Sequence, residues 1–225
     1  MPDRPYTLLS CAVSIDGYLD DASPDRLILS GPEDLDEVDA LRAAADAILV
    51  GAGTVRADNP RLLVRDPSRI AARESAGRPP QPLRVTMTAA GDLDPASRIF
   101  AGPGTALVYC PSAAAAAAES KFKGRAEVID AGAEPSLAAM LQDLYIERTV
   151  ATVLIEGGAR ILRDALAGGL ADELRLAIAP FFVADPSAPR FGLPAAYPQT
   201  PANPMTLTSL RQVGEVAVHR YSMVR

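Results

Sequence analysis

Two short stretches of this chain combine glycine with the groups that hold nucleotides. The first is Gly51-Ala52-Gly53-Thr54, continuing through Val55-Arg56-Ala57-Asp58-Asn59-Pro60. Glycine lets main-chain amides approach a ligand with no Cβ in the way. Thr54 can donate to a phosphate or ribose oxygen, and Asp58 can accept from hydroxyls or a carboxamide. The second is Glu156-Gly157-Gly158-Ala159-Arg160-Ile161-Leu162, where an apolar run ends in two glycines and helical periodicity begins. Such a junction leaves N–H groups unbonded at the positive end of a helix, which suits a pyrophosphate. Taken singly, the first also reads as a plain loop and the second as a tight strand–helix turn. Neither is a G-x-G-x-x-G fingerprint, which disfavours an ordinary Rossmann domain.

Charged residues near these stretches suit a phosphorylated substrate. Arg42 and Arg65 can each grip a phosphate bidentately, although surface arginines are usually just solvated. Glu156 ends an apolar run, where a carboxylate is costly to bury without partners, so it ranks first among the acids as a substrate contact. Metal chemistry is not expected: His219 is the only histidine, and Cys11 and Cys110 stand apart with no C-x-x-C spacing. Both cysteines read as buried, reduced thiols.

The elements that must position these residues alternate strand with helix. Strands are expected at residues 6–13, 47–50, 83–88, 105–110, 126–130, 152–155 and 172–183, the last long and central. Asp16-Gly17 marks a turn. Ser30-Gly31-Pro32-Glu33 reads as a capping box with Ser30 at the N-cap, opening a helix whose stripe is Leu35, Val38, Leu41, Arg42 and Ala45. Further helices are expected after Ser112, over 136–147 with Leu137, Met140, Leu141 and Leu144 inward, and after Gly158 with Ile161, Leu162, Ala165 and Leu166 inward. Residues 66–82, rich in Arg, Ser and Pro, read as a surface loop or lid. Residues 206–212 and 216–223 flank Val213-Gly214-Glu215 as a terminal hairpin. The pattern predicts a layered α/β fold with a largely parallel sheet and an antiparallel edge, in a single domain over 1–225.

Bulk properties narrow the function. Of 225 residues, 48 % are hydrophobic and 22 % charged, enough for a sizeable core; the net charge of −6 argues against a nucleic-acid partner. Phosphate must therefore be met at a local site. The uncharged run over 99–118 is broken by Gly102, Pro103, Gly104 and Pro111, so no membrane span is expected. The N-terminal residues carry charges and prolines with no apolar h-region, which predicts a cytoplasmic protein.

Three motifs in order resemble one family. Asp46-Ala-Ile-Leu-Val-Gly-Ala-Gly-Thr-Val-Arg-Ala-Asp-Asn-Pro-Arg-Leu-Leu-Val-Arg65 resembles the most specific motif of the riboflavin-pathway pyrimidine reductases, the C-terminal half of a bifunctional deaminase/reductase and a stand-alone enzyme elsewhere. Ser14-Ile15-Asp16-Gly17 is similar to their S-[LI]-D-G. Val153 to Leu162, then Asp172-Glu173-Leu174 and Ala179-Pro180, is similar to their V-L-[IV]-E-G-G, D-E-L and A-P segments. No deaminase zinc motif accompanies them.

The resemblance implies a dihydrofolate-reductase-like three-layer α/β fold, a homodimer and NADPH as cofactor. It implies cofactor contacts from Ala12, Gly53, Thr54, Asp58 and the helix start at Gly157, Gly158, Ala159, Arg160, Ile161 and Leu162. It implies contacts to a small ribosylamino-pyrimidine phosphate from Arg42, Leu62, Arg65 and Glu156, with Asp58 and Glu156 nearest the chemistry. The reaction opens the ribose and delivers hydride to C1′, giving a ribityl chain.

Several positions depart from the family. Ser10 stands where Lys or Asn is common, and Arg26 and Ile28 where Ser and Trp are. Ala89-Ala90-Gly91-Asp92 replaces the usual Ser and Arg that suit the 2′-phosphate of NADPH, which leaves NADH open as well. Three readings follow: a stand-alone pyrimidine reductase; a reductase of the same scaffold acting on dihydrofolate or another pterin or pyrimidine; and a nucleotide-binding protein without catalysis.

Overall fold

The computed structural model describes residues 3–23 and 27–223; Arg26 lies outside them. In chain order the elements are β1 (Tyr6–Ser14), α1 (Pro32–Ala44), β2 (Ala47–Gly51), α2 (Ala52–Asp58), α3 (Pro67–Ser75), β3 (Leu83–Met87), β4 (Ala106–Cys110) and α4 (Ser112–Phe122). There follow β5 (Glu127–Asp130), α5 (Leu137–Ile146), β6 (Thr152–Ile155), α6 (Ala159–Ala167), β7 (Glu173–Ala179), β8 (Thr206–Val213) and β9 (Val216–Ser222). They divide into two compact units, one of Met1–Pro5 and Asp39–Leu154, the other of Tyr6–Val38 and Ile155–Arg225.

In the first unit the strand order is β5-β4-β3-β2-β6, and β2–β3, β3–β4 and β4–β5 pair in parallel. All of β2 and β4 is buried, as expected of parallel strands covered on both faces, and this is why they read as continuous apolar runs. Ile48, Val50, Val55, Leu62, Val108 and Phe122 belong to one core cluster. Ser136 is the N-cap of α5, and Leu137, Met140, Leu141 and Leu144 face inward as expected. Both cysteines are free and buried.

In the second unit the order is β1-β7-β9-β8: β1–β7 is parallel, and β7–β9 and β9–β8 are antiparallel. The terminal hairpin forms with Gly214 and Glu215 as its two-residue loop. Gly214 adopts φ +55°, and an added Cβ there would lie 2.8 Å from Glu33 Oε2. The inward residues of α6 are Ile161, Leu162, Ala165 and Leu166, as the spacing predicts. No described helix is long and apolar enough to cross a membrane.

Several local expectations are corrected. The first helix begins at Pro32 and its first bond runs from Leu35 N–H to Gly31 O, so Gly31, not Ser30, sits at the N-cap. The buried face of α1 is also not its apolar stripe. Asp34 and Asp39 are buried, whereas Leu35, Val38 and Leu41 are half-buried, because arginines and main-chain donors await the two acids. Ser112 does not cap α4: Pro111 holds the N-cap, and Ser112 Oγ donates to Asp130 Oδ1 instead. The last parallel strand stops at Ala179, since Pro180 has no N–H to continue the ladder, and Phe182 is exposed.

The largest correction concerns residues 66–82. They contain α3, whose N-cap Asp66 accepts from Ser68 N–H. Buried Arg73 donates to the carbonyls of Ala43, Ala45 and Pro79, and Arg78 to those of Ala43, Ala44 and Ala45 and to Asp46. The C-terminal carbonyls of a helix have no partner within it. These arginines supply one, and the segment is a brace for α1. Its polar composition, which suggests a surface loop, reflects that task.

Candidate active site

In the first unit the stretch read as a loop after β2 is helical. The chain passes from β2 directly into α2, anchored by buried Ala52 and Val55. Gly53 and Thr54 lie in its first turn and Asp58 closes it, with Thr54 and Asp58 half-buried. Gly53 is exposed, its backbone is ordinary helix, and a Cβ added to it would meet no heavy atom within 4 Å. Neither conformation nor internal packing requires glycine there, although it weakens a helix relative to alanine.

The chain then leaves α2 at Asn59 (φ 43°) and runs through Leu62 (φ 53°) to Arg65 without regular structure. Leu62 is only 1 % exposed and belongs to the core, so its side chain packs inward and does not face solvent. Arg65 is exposed, and Arg42 donates from Nη1 to Leu63 O at 3.2 Å. Arg42 thus supports the segment that carries Arg65. Asp46, the first residue of the longest motif, serves the frame: it accepts from Arg78, from the N–H groups of Ala151 and Thr152, and from Thr152 Oγ1.

One pairing escaped the sequence reading. Arg56 on α2 lies 2.5 Å from Asp92 Oδ1, and Thr88 Oγ1 donates to the same oxygen at 3.0 Å. These bonds, opposed by a small burial cost, hold the Asp92 carboxyl below its usual pKa. A guanidinium and a hydroxyl therefore do stand at the 89–92 turn. They come from positions 56 and 88, which is why the turn itself seemed to lack both.

In the second unit, half-buried Glu156 leads into Gly157 and Gly158, which adopt φ +139° and +93°. Both values are rarely accessible to residues with a Cβ, so this turn needs its glycines. Gly158 is the N-cap of α6 and, as glycine, carries no side chain with which to bond the first turn. Leu162 is 1 % exposed and its N–H bonds Gly158 O, so it has neither side chain nor amide to offer a ligand; Ile161 is buried also. Ala159 and exposed Arg160 stand at the helix start, and Ala12 lies half-buried in β1, paired with Ala177. Ser10 is buried in the same strand opposite Arg175. A small cavity of about 100 Å³ in this unit, near Gly169, Pro198, Asn203 and Met223, involves no candidate residue and is too small for a dinucleotide.

Residues 5–218 match the family model described as the RibD C-terminal domain. The chain belongs to the RibD C-terminal domain family. It is 35 % identical over 187 residues to the 2,5-diamino-6-ribosylamino-4(3H)-pyrimidinone 5′-phosphate reductase of Archaeoglobus fulgidus, an alignment covering 83 % of this chain and 85 % of that one. Among solved structures it is similar to a pyrimidine reductase-like protein of Corynebacterium diphtheriae, with TM-score 0.81 and 25 % identity, covering 98 % of this chain and 92 % of that one. It is also similar to Acinetobacter baumannii RibD, with TM-score 0.80 and 25 % identity; the match covers 99 % of this chain but only 59 % of RibD. The largely parallel sheet with antiparallel terminal strands is the fold of these RibD reductase domains, and the family is one of reductases.

Proposed function

We propose that this protein reduces the ribose of a ribosylamino-pyrimidine 5′-phosphate to a ribityl chain with a reduced nicotinamide dinucleotide, NADPH in preference to NADH, in riboflavin biosynthesis. The observation that carries the reading is Gly53, an exposed helical glycine with open space at its Cβ position, beside Thr54 and Asp58 and ahead of Arg65. A ligand whose backbone contact leaves no room for a methyl group accounts for it. The similarity to the Archaeoglobus reductase supplies the substrate class.

The residues present fit such a cofactor. The residues proposed to hold it are Gly53, Thr54 and Asp58 of α2, together with Ala12, Gly157, Gly158, Ala159 and the main chain of Arg160 and Ile161. When bound, the dihydronicotinamide supplies a hydride. In the substrate, opening of the ribose leaves a C=N bond at C1′; hydride adds to C1′ and a proton to nitrogen, which becomes the secondary amine of the ribityl product. Asp58 orients the sugar hydroxyls and passes that proton. Glu156 accepts from donors on the pyrimidine ring, and Arg65 holds the phosphate. Alignment contributes more here than nucleophilic catalysis would, so no activated serine or cysteine is required.

The domain acts as one reductase domain over residues 1–225 and as a homodimer in the cytoplasm. Exposed Leu207 and Leu210 on edge strand β8 supply apolar surface for a second copy, which sedimentation would detect. The test is cofactor oxidation with the pyrimidine phosphate beside dihydrofolate, and with NADPH beside NADH. Turnover of dihydrofolate alone would overturn the proposal, and cofactor binding without turnover would mark a non-catalytic nucleotide binder.

A further inference from the structure

Residues 60–66 lack regular secondary structure, yet Leu62 and Val64 within them are 1 % and 3 % exposed. A buried irregular backbone must find hydrogen-bond partners outside any ladder. Here side chains provide them. Gln81, itself buried, accepts from Val64 N–H through Oε1 at 2.8 Å and donates from Nε2 to Val64 O at 3.0 Å, as a neighbouring strand would. Asp39 accepts from Arg65 N–H at 2.7 Å through Oδ1 and from Asp66 N–H at 3.2 Å through Oδ2. This dense bonding explains how Leu62 persists at φ 53°, a conformation that a branched residue adopts only when its surroundings impose it.

The same carboxylate also engages two guanidinium groups. Asp39 Oδ1 lies 3.4 Å from Arg65 Nε, and Oδ2 accepts from Arg69 Nη1 at 3.0 Å. Each oxygen therefore holds one main-chain amide and one arginine. Asp39 is 2 % exposed, so it is a fixed anchor for both guanidinium groups, with the Asp66 carboxylate near Arg69 as well. The nearby start of α3 is not the anion site, because Asp66 already occupies its N-cap and bonds Ser68 N–H.

We propose that Asp39 and Gln81 are positioning residues which make residues 62–69 a two-guanidinium phosphate clamp, with Arg69 as the second cationic member beside Arg65. This rests on the reading that Arg65 meets the substrate phosphate. An arginine on a flexible stem loses much rotamer freedom when it binds; one already oriented by a buried carboxylate loses less. Asp39→Asn removes this function specifically: an amide presents N–H groups toward donors that need an acceptor.

The experiment measures KM, kcat and calorimetric affinity for the 5′-phosphorylated ribosylamino-pyrimidine and for its 5′-hydroxyl counterpart, in Arg65→Gln, Arg69→Gln, Asp39→Asn and Gln81→Leu. Arg69→Gln and Asp39→Asn are expected to weaken the phosphorylated ligand by about 10- to 100-fold, as lost charge-assisted bonds do, with kcat altered far less and the hydroxyl counterpart little affected. Gln81→Leu should shift the same ratio in the same direction. Equal losses on both ligands, or an Arg69→Gln enzyme that binds the phosphorylated ligand like the parent, would overturn the clamp. Should Asp39→Asn not fold, Arg69→Gln alone decides. If Arg65→Gln itself fails to distinguish the two ligands, the assignment of Arg65 to the phosphate is wrong, a separate failure.

Discussion

Arg56 Nη2 lies 2.5 Å from Asp92 Oδ1, linking the helix after β2 to the turn after β3. In Rossmann domains an acid beyond a strand accepts from a ribose 2′-hydroxyl, and a nearby arginine accommodates a 2′-phosphate. This chain carries both, paired and half-exposed. Asp92→Asn is expected to release Arg56 and raise the NADPH:NADH ratio of kcat/KM by about tenfold, and Arg56→Gln to lower it by a similar factor. Ratios unchanged in both variants would show that this pair does not read the cofactor.

Gly53→Ala separates stability from binding. Replacing an exposed helical glycine whose Cβ position is open should stabilise the fold by about 0.5–1 kcal/mol, visible as a higher Tm. Cofactor affinity should fall at the same time. A variant that is more stable and binds as before would remove the reason for placing the cofactor against α2.

Arg73 offers a purely structural test. Its side chain is buried and donates to three carbonyl oxygens at 2.7–2.8 Å, two of them near the end of α1. Burial lowers its pKa from the usual arginine value, yet it remains charged. Arg73→Met should lower unfolding free energy by about 2–4 kcal/mol in denaturant titration, because the stranded carbonyls keep their desolvation cost. Substrate and cofactor affinities of the folded fraction should change little.

Acid should act through Asp39. Burial disfavours its ionised form, but bonds from Arg65 N–H, Arg69, Asp66 N–H and the Arg65 side chain outweigh that, so its pKa lies below the usual 3.8. A depressed carboxylate contributes stability that is complete above its unfolded pKa and lost as pH falls through the folded one. Stability should therefore decline below about pH 4, and in Asp39→Asn that part of the acid dependence should be absent from paired melting curves.

The thiols should be inert in the folded protein. Burial pushes Cys11 up to about 12, with nearby Arg175 only partly opposing, and burial also raises Cys110. At neutral pH neither should be alkylated by iodoacetamide until denaturant is added, as intact mass would show.

Much of the frame was legible in the sequence for a simple reason: covered parallel strands and one-sided helices impose local periodicity. β2, β6 and the inward faces of α5 and α6 follow directly from their apolar spacing. The Gly157-Gly158 turn between β6 and α6 was legible as well, because glycine supplies the positive φ values a tight strand–helix junction needs. The α2 helix was not, because Gly51 and Gly53 mask its propensity, and only anchoring by Ala52 and Val55 makes it form.

What the tertiary structure alone decided is which polar residues serve one another. Asp39 lies 26 residues before Arg65, Gln81 17 after Val64, and Arg56 36 before Asp92. No local period encodes such pairs; they exist because the fold brings distant segments within hydrogen-bond reach. The same reach turned a supposed surface loop at 66–82 into the brace of α1. Local sequence thus determined the elements and the chemical vocabulary of the candidate site, while packing decided which polar groups each arginine meets.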